Sequence, residues 1–270
     1  MPERVHLGSR QVGPGEPCLI VAELGQNHSG DLAVALQMMR AAKEAGADVV
    51  KFQKRTVELC IPPAQQTQER DTPWGRMTYL RYRERLEFGA TEYDAIAQEA
   101  QTLRIAWTAS VWDEPSLAFL LRYSPPWSKI PSACLTDIAL LEACRRSGVP
   151  VVASTGMSTP AQILRAVQAL GPDRLVLLHC TSTYPCATEE LNLRAIQTLR
   201  ERYRVPVGYS GHHPCVWDGL CAAVLGASVI EKHFTLDRAS FGTDQAASLE
   251  PAGFARMTRY IRNWEIARGD

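Results

Sequence analysis

Charged and hydroxyl side chains stand at one repeated place in this chain of 270 residues, at the ends of short apolar segments. Glu23 ends the segment CLIVAE, Lys51 and Gln53 end DVVKFQ, and Lys129 lies near the end of WSKIP. Later segments are followed or ended in the same way by Ser110, Ser154, His179, Ser210, His212, Glu231 and His233. One such residue says little, but a set that recurs along the chain predicts a shared site.

Lys51 and Lys129 lie inside apolar segments, although lysine is rarely buried without a partner. Each could extend its ammonium group to the surface along an apolar wall. Two lysines in equivalent positions, beside Ser132, Ser154 and Ser210, favour an anion site instead, because a phosphate or carboxylate needs several donors of fixed direction. A lysine that forms a Schiff base, as in class I aldolases, is the main mechanistic alternative.

His212 and His233 are candidate metal ligands, since imidazole suits Zn, Mn, Co and Fe. Two histidine ligands leave coordination positions open for water and substrate, which catalysis requires. His213 directly follows His212 and is an alternative ligand. Glu23 is a candidate general base or substrate-orienting carboxylate, and its structural alternative is an ion pair with a lysine.

Eight apolar, β-rich segments alternate with amphipathic stretches and predict eight strands. Such uniformly apolar strands are typical of a parallel sheet covered on its faces. The predicted strands are residues 18–23, 48–53, 105–109, 127–131, 149–155, 174–180, 205–210 and 228–234. Residues 31–46, 159–171 and 250–270 show helical patterns.

The alternation predicts a (β/α)8 TIM barrel in a single domain over residues 1–270, preceded by a short N-terminal β-hairpin. A doubly wound open sheet is the weaker alternative, because no GxGxxG motif follows the first strand. In a TIM barrel the C-terminal strand ends form the active-site mouth, which is where the polar residues lie. The longest irregular stretch, residues 54–90, follows the second strand, and a loop of this length in a compact domain usually carries function.

The charge balance excludes some classes of partner. The 29 Lys and Arg residues equal the 29 Asp and Glu residues, whereas nucleic-acid or membrane-surface binding predicts a basic excess. No apolar run approaches the length of a membrane span. The eight cysteines form no CxxC pair and no secretory signal is evident, so we expect free thiols and a cytoplasmic protein.

Several motifs resemble those of the sialic acid synthase family, whose members are TIM barrels, and they occur in order along nearly the whole chain. They are AELGQNHSGD (22–31), GADVVKFQ (46–53), KIPSA (129–133), STGMS (154–158), LHCTSTYP (178–185), GYSGH (208–212), EKHFT (231–235) and SLEP (248–251).

The resemblance implies a transferase that condenses phosphoenolpyruvate with the open-chain aldehyde form of an aminosugar, such as N-acetylmannosamine, giving a 2-keto-3-deoxy sugar acid and phosphate. It implies Glu23, Lys51 and Lys129 as catalytic residues and His212 and His233 as ligands of a divalent metal, usually Mn²⁺, with Mg²⁺ or Co²⁺ as alternatives. The implied phosphoenolpyruvate-binding residues are Lys51, Ser110, Lys129, Ser132, Ser154 and Ser210. Those implied near the acceptor sugar are Gln53, Tyr184, Glu231 and Asp244.

The chain also departs from the family pattern. Gly211 stands where the usual motif is GYSDH, and Gln245 ends TDQ (243–245) where PDH is usual. We expect the family's C-terminal antifreeze-like domain to be absent, because the chain ends with the barrel. Trp74 and Arg76 in the 54–90 stretch, together with a partner subunit of a homodimer or higher homo-oligomer, are then expected to cover the acceptor sugar. The alternatives are another 2-keto-3-deoxy acid synthase, a pyruvate aldolase, or a non-catalytic sugar-binding barrel.

Overall fold

The computed structural model of the protein describes residues 4–269. Its strands, in chain order, are β1 (Val5–Leu7), β2 (Arg10–Val12), β3 (Leu19–Gly25), β4 (Val49–Lys54), β5 (Glu69–Thr72), β6 (Gly75–Thr78), β7 (Ala106–Val111), β8 (Ser128–Ile130), β9 (Val151–Ser154), β10 (Leu175–Cys180), β11 (Val207–Gly211) and β12 (Val229–His233). Strands β3, β4 and β7 to β12 are parallel and close into a barrel. The predicted (β/α)8 TIM barrel is confirmed, and each barrel strand lies within two residues of its predicted bounds.

The helices that alternate with the barrel strands cover the outside of the barrel, and three further helices lie in the stretch after β4. They are α1 (Leu32–Glu44), α2 (Val57–Cys60), α3 (Pro63–Gln66), α4 (Tyr79–Leu86), α5 (Ala90–Leu103), α6 (Glu114–Leu121), α7 (Ile138–Arg146), α8 (Pro160–Leu170), α9 (Ala195–Tyr203), α10 (Trp217–Val224) and α11 (Pro251–Ala267). Local sequence sets several helix starts. The Asp31 carboxylate accepts hydrogen bonds from the first free amides of α1, and Thr159 and Gln162 form a capping box at α8.

A period of two divides the side chains of the barrel strands between its interior and its helix-covered outer face. The interior core contains Leu19 and Val21 of β3, Val49 of β4, and Val176 and Leu178 of β10. The predicted N-terminal hairpin, β1 and β2, is confirmed; it contributes its apolar side chains to this same interior cluster. Burying one such aliphatic side chain contributes about 1.5–3 kcal/mol.

Asp48, just before β4, fastens the hairpin and the last helix to the barrel. Its carboxylate accepts from the Ile20 amide at 2.9 Å and pairs with Arg262 of α11 at 2.6 Å. Arg10 of β2 reaches the same carboxylate at 3.3 Å. These contacts lie near the N-terminal strand ends, away from the mouth.

The stretch 54–90 is not irregular, and that prediction was wrong. It contains α2, α3, the antiparallel hairpin β5–β6 and the amphipathic helix α4. The hairpin strands are polar on both faces, with burial ranging from exposed to intermediate. Such strands lack the apolar alternation that marks a strand in sequence, so the pattern gave no signal for them.

No helix among residues 4–269 is both long enough and apolar enough to span a membrane.

The loop from β3 to α1 packs against the end of α4 through a glycine. Gly30 has φ +77°, and a Cβ atom there would lie far inside van der Waals contact with the carbonyl oxygen of Arg85. Gly75, between β5 and β6, has φ +98° but nothing within 4 Å of an added Cβ. Both glycines have a positive φ that other residues rarely adopt, but only Gly30 lacks room for a side chain.

We therefore predict that Gly30→Ala lowers the free energy of unfolding more than Gly75→Ala. Both variants carry the left-handed penalty of about 1–2 kcal/mol. Only Gly30→Ala adds a steric penalty, of about 1–3 kcal/mol for a packed site. Urea denaturation followed by circular dichroism measures both, and equal losses in the two variants would contradict the tight contact with Arg85.

Candidate active site

The candidate site lies inside the C-terminal mouth of the barrel, where the interior rows of side chains change from apolar to polar. On β3 the interior row runs Leu19, Val21, Glu23, and on β4 it runs Val49, Lys51. A cavity of about 230 Å³ opens there. Its lining includes Glu23, Lys51, Gln53, Ser110, Lys129, Ser132, Ser154, Tyr184, Ser210, His212, Glu231 and His233. The strands thus bring together twelve of the predicted site residues.

Two lysines and two glutamates form a buried ionic cluster at the floor of this cavity. The Lys51 ammonium lies 2.6 Å from Glu23 Oε2 and 3.7 Å from Glu231 Oε2. Lys129 lies 3.8 Å from Glu231 Oε1. Both lysine side chains are 2% exposed, so neither extends to the surface as the alternative interpretation required. Charges this deeply buried are tolerated only when each has partners of opposite charge.

Serine hydroxyls complete the surroundings of the cluster. Lys51 donates to Ser110 Oγ and Lys129 donates to Ser154 Oγ, each at 2.7 Å, while Ser210 donates to Glu231 at 3.0 Å. Each ammonium group is thus held by a serine on a nearby strand, Ser110 on β7 and Ser154 on β9. Fixed donors of this kind are what an anionic ligand needs.

The two carboxyls differ in their affinity for a proton. Burial raises the pKa of Glu23 to about 7, against the opposing effect of Lys51. Burial also acts to raise the pKa of Glu231, but the ammonium groups of Lys129 and Lys51 outweigh it and hold that pKa at about 2. Glu231 is therefore a permanent counter-ion, whereas Glu23 can exchange a proton near neutral pH. A carboxyl with such a pKa is suited to general base catalysis.

Gln53 connects Glu23 to a side chain outside the cavity. Its amide Nε2 donates to Glu23 Oε1 at 3.0 Å, and its Oε1 accepts a hydrogen bond from Arg55. The Arg55 guanidinium stacks on the indole of Trp112, 4.1 Å from the ring centroid. Gln53 therefore presents a fixed orientation to the cavity.

His212 and His233 face each other across the cavity, with ring centroids 5.4 Å apart. His212 Nδ1 donates to the Thr181 carbonyl at 2.6 Å, which leaves Nε2 as the free lone pair. His233 Nδ1 is buried without a hydrogen-bond partner. Burial lowers the pKa of His233 to about 4, so the ring is neutral at pH 7. For His212, burial is outweighed by contacts with Cys180 and Thr181, which raise its pKa.

His213 has a different environment from its neighbour. Its Nδ1 accepts from the Cys215 amide and its Nε2 lies 3.2 Å from the Thr188 hydroxyl. It does not line the cavity. Of the two adjacent histidines, His212 is the one positioned to bind a ligand there.

Sequence patterns misplaced one residue of β10 and missed others. His179 points to the helix layer, where its Nε2 lies 2.7 Å from the Leu191 carbonyl. Cys180 lines the cavity instead, because the inward phase of β10 set by Val176 and Leu178 selects even-numbered residues. That alternation was available in the sequence. Trp112 and Ser182 also line the cavity; both lie in loops, where no periodicity indicates direction.

The remaining acceptor-site candidates are divided between the cavity and its surroundings. Tyr184 lines the cavity and stacks on His212 with ring centroids 3.9 Å apart. Asp244 lies at the edge, with Oδ2 3.9 Å from His233 Nδ1. Trp74 and Arg76 do not line the cavity. Arg76 is 69% exposed and pairs with Glu69 of the same hairpin.

Trp74 belongs to an aromatic cluster that joins the β5–β6 hairpin to the loop after β12. Its ring lies 6.5 Å from both Tyr82 of α4 and Phe241, and Phe241 meets Tyr82 edge to face at 6.1 Å. Phe241 stands three residues before Asp244 in that loop. The stretch after β4 therefore contacts the segment that carries a candidate acceptor residue.

Gln245, which departs from the family motif, anchors the same loop. It is 1% exposed, its Nε2 donates to the Asn27 carbonyl at 3.1 Å, and its Oε1 accepts from the Thr235 hydroxyl. It does not line the cavity. The side-chain amide of Gln245 therefore pairs with one buried donor, the Thr235 hydroxyl, and one buried acceptor, the Asn27 carbonyl.

Comparisons with known proteins agree with this geometry. The model of the NeuB family matches residues 38–270. The N-acetylneuraminate-9-phosphate synthase of Mus musculus is 39% identical over 266 residues, covering 96% of this chain and 74% of the relative. The N,N'-diacetyllegionaminic acid synthase of Legionella pneumophila is 35% identical, with 97% of this chain and 76% of the relative covered.

A solved structure shows the same similarity in three dimensions. The N-acetylneuraminic acid (sialic acid) synthetase from Leptospira borgpetersenii superposes with a TM-score of 0.91 at 33% identity, covering all of this chain and 91% of that one. The expected family resemblance is confirmed, and the chain belongs to the NeuB family of sialic-acid-type synthases.

Proposed function

We propose that this protein condenses phosphoenolpyruvate with the open-chain aldehyde of an N-acylated aminosugar, forming a sialic-acid-like 2-keto-3-deoxy sugar acid and phosphate. The observation that carries the proposal is the pair of fully buried lysines at the mouth, each bound to a serine and facing Glu231. The relatives named above make sugar acids of this type, and they differ in the sugar.

The donor binds in the ionic cluster. Two ammonium groups face only one permanently ionised carboxylate, because the pKa of Glu23 is raised to about 7 by burial. The two ammonium groups supply the fixed positive charge with which an anion that carries both phosphate and carboxylate groups can pair. The hydroxyls of Ser110, Ser132, Ser154 and Ser210 supply further donors. Preorganised charge of this kind acts most strongly in a site that excludes water.

A divalent cation, most simply Mn²⁺, fits between His212 and His233. The unpartnered His233 Nδ1 and the fixed tautomer of His212 match imidazole ligation, where one ring nitrogen is hydrogen-bonded to a carbonyl. Among residues 4–269 no group of three or more His, Cys, Asp or Glu side chains is arranged to hold a metal, so the two imidazoles are the protein ligands that we propose for it. Bound there, the cation supplies Lewis-acid polarisation of the aldehyde oxygen.

The reaction balances as a condensation followed by hydration. The C3 carbon of phosphoenolpyruvate bonds to the aldehyde carbon, and the aldehyde oxygen takes up a proton to become a hydroxyl. Water adds to C2, and Glu23 accepts its proton. The tetrahedral centre then collapses to the ketone: its C2 hydroxyl proton passes to the departing phosphate as the C2–O bond to that phosphate breaks. Lys51 and Lys129 stabilise the phosphate and carboxylate charges throughout.

Lys129 carries the second candidate function, a pyruvate aldolase. Burial lowers the pKa of Lys129, which is the change a Schiff-base lysine requires. Its ammonium is engaged by Ser154 at 2.7 Å and by the Ile130 carbonyl at 3.2 Å, and these contacts favour the charged form. The charged, non-covalent role is therefore the one we propose.

Phosphate release from phosphoenolpyruvate tests the main proposal. We expect release only with an aldehyde acceptor from a panel of free and phosphorylated N-acylated aminosugars and neutral aldoses. A chelator should abolish turnover and Mn²⁺ should restore it, because the two imidazoles would hold a cation that supplies Lewis-acid chemistry. The His212→Ala, His233→Ala double variant should not respond to Mn²⁺.

Two results would contradict parts of this scheme. Full activity of the histidine double variant without added metal would reject the metal assignment. A covalent adduct on Lys129, trapped by borohydride with pyruvate or phosphoenolpyruvate, would instead establish aldolase-type chemistry.

The raised pKa of Glu23 predicts the pH dependence. The basic form accumulates above the pKa of about 7, so kcat/KM should rise with pH through that region. Glu23→Gln keeps the hydrogen bond with Gln53 but cannot accept a proton, and we expect activity to fall by about 10²–10⁴-fold. Steady-state kinetics from about pH 5.5 to about pH 9, on both sides of the Glu23 pKa, measure the pH dependence and the loss of activity.

Glu16→Gln serves as the control, because Glu16 pairs with Arg4 on the surface, outside the cavity. Its profile should match that of the wild type. Persistence of the same rising limb in Glu23→Gln would mean that another group is the base.

The aromatic cluster predicts an effect on the acceptor alone. Trp74→Ala removes the ring that supports Phe241 and the loop to Asp244. We expect the KM for the acceptor to rise about two- to tenfold, the equivalent of about 0.5–1.5 kcal/mol for one aromatic pair. The KM for phosphoenolpyruvate should not change, since the lysines and serines lie elsewhere.

Arg76→Ala is the matched control in the same hairpin, because its exposed side chain pairs with Glu69 of that hairpin and does not line the cavity. It should leave both KM values unchanged. An increase in acceptor KM equal to that of Trp74→Ala would show that the hairpin contacts the sugar directly, as the sequence suggested.

A further inference from the structure

A second buried ion pair lies behind the wall of the active site. Lys232 stands between Glu231 and His233 on β12, so its side chain points out of the barrel towards α10. There it meets Asp218, with Nζ 3.1 Å from Oδ1 and 2.9 Å from Oδ2, and both side chains have 0% exposure. The Tyr209 hydroxyl donates to the same carboxylate at 2.9 Å. Neither charged residue lines the cavity.

This pair holds the backbone next to His212. Lys232 Nζ donates to the carbonyl of His213 at 2.6 Å, and so ties the turn after β11 to β12. The carbonyl of His212 itself accepts from the Cys186 amide at 3.0 Å. Together with the bond from Nδ1 to Thr181, these contacts fix the backbone and the ring of His212 on the side opposite the cavity. Charged hydrogen bonds with full burial hold geometry more firmly than neutral, exposed ones.

The missing side chain at Gly211 leaves room for the carboxylate of Asp218, which reaches Lys232 from α10. A Cβ atom at Gly211 would lie 2.8 Å from Asp218 Oδ2 and 2.5 Å from the Tyr209 ring. The space that an acidic side chain at position 211 would enter is therefore already occupied by the carboxylate of Asp218. This is the position at which the family's usual motif has aspartate.

We propose that Asp218 takes the place of the missing acidic residue at position 211, and that the Asp218–Lys232 pair is a positioning device for His212. The inference rests on the proposed metal site and deepens it. Asp218 and Lys232 touch neither substrate nor cation; they act through the backbone that carries the imidazole. Loss of such supporting contacts typically weakens metal binding by about 10–100-fold.

The test is a double-mutant cycle with Asp218→Ala, Gly211→Asp and their combination. Mn²⁺ binding is measured from free Mn²⁺ by electron paramagnetic resonance, and thermal unfolding by circular dichroism. Asp218→Ala leaves Lys232 buried without a counter-ion, so we expect a lower Tm and a Kd for Mn²⁺ raised about tenfold or more. Gly211→Asp alone should also lower Tm, because it crowds Tyr209 and adds a second buried carboxylate.

The combined variant supplies one carboxylate to Lys232 from the strand instead of the helix. We expect its Tm and its Mn²⁺ affinity to exceed those of Asp218→Ala, which is a non-additive rescue between contacting sites. Asp218→Asn keeps the side-chain volume and the acceptor for Tyr209, and provides a folded reference if Asp218→Ala does not fold. Its Mn²⁺ affinity should be weaker than that of the wild type and no weaker than that of Asp218→Ala.

Asp48→Asn is the control for general loss of stability, because it weakens a partly buried ionic contact at the other end of the barrel. It should lower Tm and leave the Kd for Mn²⁺ unchanged. The inference is overturned if folded Asp218→Asn binds Mn²⁺ as tightly as the wild type. It is also overturned if the combined variant recovers its Tm, which shows that Tyr209 has made room for the new side chain, but binds Mn²⁺ no more tightly than Asp218→Ala. Absence of Mn²⁺ binding by the wild type would instead reject the proposed metal site, and the positioning role with it.

Discussion

The structure depends on the cost of placing charge inside a barrel. Lys51, Lys129 and Glu231 are buried deeply enough that each would be strongly unfavourable alone. They coexist because parallel strands in register bring their side chains to the same level, as Ser110 beside Lys129 and Ser210 beside Glu231 show. The serines then satisfy the remaining donors and acceptors. The positive charge of the two lysines is therefore already oriented, so an anion bound there would need little reorganisation of the site.

The same alternation that builds this cluster builds a second one outside the wall. Glu231 and His233 face the cavity, and Lys232 between them faces α10 and Asp218. The inner cluster and the outer ion pair differ in whether they can exchange a proton near neutral pH. The inner cluster has a carboxyl, Glu23, whose pKa lies near neutral, so it can exchange protons. The outer pair is closed by Tyr209 and the His213 carbonyl, and its contacts are structural.

The loops over the mouth are connected through packing rather than through charge. Phe241 packs edge-on against both Trp74 and Tyr82, and Gln245 joins the same loop to the Asn27 backbone. Both contacts hold Asp244 near His233. Aromatic pairs of this kind hold through packed area as well as ring orientation, so they join the two loops without a charged contact. The donor cluster, by contrast, is made by strands and has little freedom to change.

The sequence by itself determined the barrel, its N-terminal hairpin, and most of the residues that line the cavity. It could do so because successive side chains of a strand alternate between the interior and the outer face. The apolar residues of each strand therefore indicate which of the polar residues at its end point into the barrel. The tertiary structure alone decided the conformation of the segments between the barrel strands and the residues that they contact. The hairpin β5–β6 is polar on both faces and gives no pattern. Trp74 turns towards Phe241, a partner more than 160 residues away in the chain, and Asp218 reaches the space above Gly211. Such contacts are set by how separate elements pack, and no local spacing encodes them.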